Sequence, residues 1–81
     1  MDKRKFYADQ KLLRLEAGAR LYNDACRMCN EAARRYLLNA YVDDLRQCRK
    51  INKRQWEVGK TLATEWHGTA EDFLSAIRGL A

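Results

Sequence analysis

Eighty-one residues with 47% hydrophobic and 33% charged side chains, no proline and four glycines exclude more than one domain and a disordered chain, and permit long uninterrupted helices. No run approaches the roughly eighteen apolar residues of a membrane span, and no apolar signal core follows the charged start Met1-Asp2-Lys3-Arg4-Lys5. A soluble, cytoplasmic chain with no membrane partner is expected, with Cys26, Cys29 and Cys48 as reduced thiols. The net charge of +5 is unevenly placed: residues 46–60 alone are +5, against +2 for residues 1–45 and −2 for residues 61–81.

From Ala8 onward, small and apolar residues recur at alternating steps of four and three: Ala8, Leu12, Leu15, Ala19, Tyr22, Cys26, Cys29, Ala33, Tyr36, Ala40. That spacing predicts one unbroken heptad helix over about residues 5–38. A second stripe, Leu13, Ala17, Leu21, Ala25, Met28 and Ala32, is expected to widen the same buried face. At about 1.5 Å per residue such a rod is about 50 Å long, more than the remaining chain can shelter. Leu12, Leu15, Ala19, Tyr22, Cys26, Cys29, Ala33 and Tyr36 are therefore read as a seam for self-association, an antiparallel homodimer, or for a partner protein.

Past Tyr41, Asp43 or Asp44 can cap a helix over about residues 43–51. Asn52 and Gln55 then have the spacing of a capping box, with Ile51 placed to touch Trp56 as a hydrophobic staple, and they open a helix over about residues 53–67. On that helix Trp56, Val58, Gly59, Leu62, Ala63 and Trp66 share one arc, with Lys53, Arg54 and Lys60 opposite. Gly59 inside the apolar arc predicts a close helix approach. The basic block Arg46, Arg49, Lys50, Lys53, Arg54 and Lys60 is the expected contact for a nucleic acid or an acidic partner, with Glu57 among its members as a local counter-charge.

Gly68 suits the left-handed residue that ends a helix, and Thr69 suits the N-cap of the next. Glu71 and Asp72 lie in the first turn of that last helix, about residues 70–80, which offers Phe73, Leu74, Ile77 and Leu80 to a core. A helix-turn-helix has a similar outline, but its recognition helix would lead with two carboxylates toward DNA, which argues against it.

Four residues could ligate zinc, namely Cys26, Cys29, Cys48 and His67, yet the two paired cysteines sit on the helical seam without a knuckle turn, and small apolar packing is the stronger reading. No nucleophile and base, paired carboxylates or glycine-rich phosphate loop is spaced for chemistry, so neither an enzyme, a cofactor nor a small-molecule substrate is expected. Trp56 and Trp66 are read as core rings rather than base-stacking platforms. The expectation is an all-α chain, one long N-terminal helix packed against two or three shorter ones in a dimeric helical hairpin or bundle. It binds a larger protein through the seam and basic block or, alternatively, nucleic-acid phosphates through residues 46–60.

Overall fold

Asn30 is where the chain turns back on itself. Its side chain accepts the backbone N–H of Ala33 at 3.1 Å, and Glu31 follows in the first helical turn, so a new helix starts here. Just before it the preceding helix closes as a Schellman motif: Asn30 N–H reaches Ala25 O at 3.0 Å, Cys29 N–H reaches Cys26 O at 3.1 Å, and Cys29 is left-handed at φ 54°. The single rod expected over residues 5–38 is thus two helices.

The computed structural model describes residues 3–79, which form four helices and no strand: α1 Lys3–Arg27, α2 Glu31–Gln47, α3 Lys53–Leu62 and α4 Ala70–Gly79. No helix among the described residues is long and apolar enough to cross a membrane.

The three-residue link folds α2 back along α1, and this reversal changes the phase of the apolar pattern. In α1 the expected seam holds from Leu15 onward: Leu15 and Tyr22 are buried, with Ala19 and Cys26 packed beside them, while Leu12 and Ala8 ahead of them are exposed. In α2 the buried positions are Arg34, Leu38, Tyr41, Val42 and Leu45. The extrapolated Tyr36 is 75% exposed, and Cys29 lies exposed in the link. The expected docking seam is therefore largely consumed within one chain. Of the second stripe Ala25 is buried, but Leu13, Leu21 and Met28 are exposed, so the buried face is not widened along the helix.

Helix α2 runs straight through Asp43 and Asp44, so neither caps a helix and no separate helix spans residues 43–51. A second Schellman closure ends α2, with Lys50 N–H on Leu45 O at 2.9 Å, Arg49 N–H on Arg46 O at 3.1 Å, and Arg49 left-handed at φ 58°. The capping box at Asn52 and Gln55 forms as expected, each side chain accepting the other residue's backbone N–H. Helix α3 ends at Leu62, short of the expected residue 67. Gly68 does not take the left-handed conformation, because no glycine among the described residues has a positive φ. Thr69 does cap α4, its hydroxyl accepting Asp72 N–H at 3.1 Å.

The core joins Leu15 and Tyr22 of α1 to Leu38, Val42 and Leu45 of α2, Ile51 and Ala63 beside α3, and Phe73 and Ile77 of α4. Each large side chain fully removed from water contributes about 1.5–3 kcal/mol. Gly59 is a close-approach point: a Cβ there would sit 3.0 Å from Ile77 Cδ1 and 3.2 Å from Val42 Cγ1. The expected core contribution of Leu80 lies outside the described residues.

Candidate functional site

Cations fill one end of the molecule. Arg46 lies in the last turn of α2, Arg49 and Lys50 in the closing loop, and Lys53 and Arg54 in the first turn of α3, all five exposed. The loop geometry explains the clustering, since a Schellman closure followed at once by a capping box packs three polypeptide directions into one tight corner. None of the five makes an ion pair among the described residues, and neither does Glu57. The counter-charge expected from Glu57 is not realised.

Lys60, the sixth member of the expected block, belongs elsewhere. Its ammonium lies 3.1 Å from Asp43 on α2, and Trp56 Nε1 donates to the same carboxylate at 2.8 Å. Partial burial alone would raise the Asp43 pKa, but the hydrogen bonds from Trp56 and Lys60, together with the ammonium charge, outweigh it and hold this carboxyl below its ordinary value. This arrangement ties α3 to α2 and occupies the Trp56 indole nitrogen.

The sequence reading missed a second basic group at the same end. Because α2 runs back along α1, the start of α1 lies beside the end of α2. An open groove of about 660 Å³ there is lined by Phe6, Tyr7, Gln10, Lys11, Leu13 and Arg14 of α1 and by Asp44, Gln47 and Cys48 across from them. Lys3, Arg4 and Lys5 extend the same arm, and residues 3–14 are all exposed. Residues 3–14 and 44–57 together carry ten basic and three acidic side chains, a net of +7, while the rest of the described chain is −1. The signal was present in the charged start of the sequence, but the assumption of one long rod placed it far from residues 46–54.

The other end of the molecule is closed. Tyr22 is fully buried and donates its hydroxyl to Gly68 O at 2.7 Å, and burial raises its pKa well above the usual phenol range. Arg34, only 4% exposed, donates to Trp66 O and to Glu31 at 2.7 Å, with its Nε left without a partner among the described residues. Its guanidinium lowers the Glu31 pKa, chiefly through that hydrogen bond. Asn23 Oδ1 accepts Ala70 N–H at 3.0 Å and its Nδ2 donates to Glu71 at 3.1 Å, which fixes the start of α4 on α1. Trp66 donates to Thr69 O at 3.0 Å and meets Phe73 edge to face at 5.5 Å. Both tryptophans are therefore engaged within the fold.

The four possible zinc ligands are not assembled. Cys29 precedes α2 and Cys48 follows it, a separation of about 25 Å along the helix, and no group of three or more His, Cys, Asp or Glu among the described residues is gathered to hold a metal. Compared with protein-family models, with curated proteins and with solved structures, the chain matches none.

Proposed function

We propose that this chain is a non-enzymatic, cytoplasmic binding protein whose basic end docks on the phosphate backbone of a nucleic acid. One observation carries the reading: the reversal at Asn30 brings a basic arm and a basic corner together at +7, with five exposed corner cations unpaired by the chain's own carboxylates. Phosphate neutralisation releases condensed counterions and needs cations free to meet the ligand. Docking on a larger protein through the α1 seam is the weaker reading, because Leu15 and Tyr22 already pack inside. Tyr7, 62% exposed on the arm, offers a ring face to an unpaired base, so a single strand is expected to bind at least as well as a duplex.

The test is a fluorescence-anisotropy titration of labelled 20-nucleotide single and double strands between 50 and 200 mM salt. If about five phosphates are met, log affinity for the duplex falls against log salt with a slope of about −4 to −5. Replacing Arg46, Arg49 and Lys50 by alanine lowers that slope by about three, while replacing Arg27 and Arg78 leaves it unchanged. No binding at 50 mM salt, or equal losses from both sets, overturns the reading.

A further inference from the structure

The face of α1 opposite Leu15 and Tyr22 carries a row of exposed apolar side chains, interrupted by Lys3, Gln10 and Asp24. At about 100° per residue Phe6, Leu13, Ala17, Leu21 and Met28 fall within an arc of about 80°, opposite Leu15 and Tyr22. Phe6, Leu13, Leu21 and Met28 are 47%, 58%, 55% and 78% exposed, and Phe6 and Leu13 also border the open groove beside the end of α2.

We infer that this ridge binds a second copy of the chain, with the two α1 helices antiparallel about a two-fold axis at Ala17. The ridge is complementary to itself in that register. Leu13 of one copy lies across from Leu21 of the other, and Phe6 across from Met28. Ala17 meets its own counterpart where the backbones come closest. Gln10 and Asp24, polar positions inside the arc, also face each other.

The charges along one flank select the same orientation. This flank carries Asp9 and Glu16 in its first half and Arg20 and Arg27 in its second, each pair seven residues apart. In a two-fold antiparallel pair, like flanks meet. Asp9 therefore approaches Arg27 of the second copy, and Glu16 approaches Arg20. A parallel pair would instead set this flank against the opposite one, where Tyr7, Gly18 and Ala25 accompany Arg14, and Arg20 and Arg27 would meet no carboxylate, so the opposite charges pair best in the antiparallel arrangement. Arg27 already has Asp24 one turn back on its own helix, an exposed pair that leaves the guanidinium able to turn. Asp72 of α4 lines a shallow depression together with Arg20 and Arg27.

Two helices about 37 Å long bury less than the roughly 800 Å² per partner of a standard interface, so a dissociation constant on the order of 10 µM is expected. The register leaves both basic arms at the outer ends of the dimer, and the inference stands independently of what those arms bind.

The experiment is sedimentation equilibrium of the full chain from 5 to 500 µM, without nucleic acid and under reducing conditions so that exposed Cys29 cannot crosslink. A reversible dimer is expected, weakened at least tenfold by Leu21→Glu, a change at an exposed position whose helicity is checked by circular dichroism. Glu16→Arg and Arg20→Glu are each expected to weaken the dimer about fivefold, and the double variant E16R/R20E to restore it. A monomer throughout the range overturns the inference. So does a dimer indifferent to Leu21→Glu, or a charge swap that fails to rescue.

Discussion

The two ends of this protein are built for opposite purposes. At the end formed by the α1–α2 link, the α3–α4 connector and the start of α4, Tyr22, Arg34 and Asn23 each hold the backbone of a distant segment, and Phe73 and Ala70 are fully buried. At the other end, residues 3–14 of α1 bury nothing fully, and the α2–α3 corner exposes its cations. Cohesion comes from the first end and surface chemistry from the second. A chain of this size has little apolar material to distribute; the core reaches Leu45 and Ile51 beneath the corner but takes nothing from residues 3–14.

Substitutions can break that contrast or sharpen it. The largest effect belongs to the closed end: Phe73→Ala empties a fully buried site under Trp66 and is expected to cost about 3–5 kcal/mol in urea unfolding. Near the middle, Asp43→Asn removes a carboxylate shared by Trp56 and Lys60 and is expected to cost about 1 kcal/mol at pH 7. Because the folded-state pKa of Asp43 lies below its ordinary value of 3.8, the gap between wild type and variant should persist above about pH 4 and close as pH falls below it. Thermal melts at pH 7, 5 and 3 check the sign. Cys29→Gly relieves a left-handed non-glycine residue and is expected to stabilise by up to about 1 kcal/mol, since only glycine takes φ near 54° without strain. At the open end, Leu13→Ala should change stability by less than about 0.5 kcal/mol. Measured at a concentration well below the dissociation constant of the proposed dimer, a loss of 2 kcal/mol there would mean that the arm is part of the core after all.

What was legible in the sequence was what depends on neighbours in the chain. The Asn52–Gln55 capping box and the Thr69 cap each place a side-chain acceptor near a backbone N–H two or three residues away, and both appear as read. Leu15 and Tyr22 were legible because a buried stripe on one helix follows from spacing alone. The break at Cys29 was hidden by a coincidence of phase. The step from Cys26 to Cys29 keeps the heptad rhythm, and a cysteine gives no sign of a left-handed conformation. The pair Asn30 and Glu31 has the residue types of a helix start, a signal that the apolar rhythm running through it conceals. Once that turn was missed, the pairing of the two basic groups could not be seen, because it depends on which ends of α1 and α2 lie together. Asp43 shows the same limit: as a doublet with Asp44 it resembles a cap, and only the return of α3 supplies the indole and ammonium that it meets.

The uneven split of charge gives the molecule, 42 Å in its longest dimension, a positive end at the start of α1 and the α2–α3 corner and a slightly negative remainder. In the field of any extended anion such a body is turned before it arrives. Collisions are thereby biased toward the one orientation in which the Asn30 end faces solvent. For the nucleic-acid partner proposed above, the hairpin link would thus act on encounter rate as well as on folding.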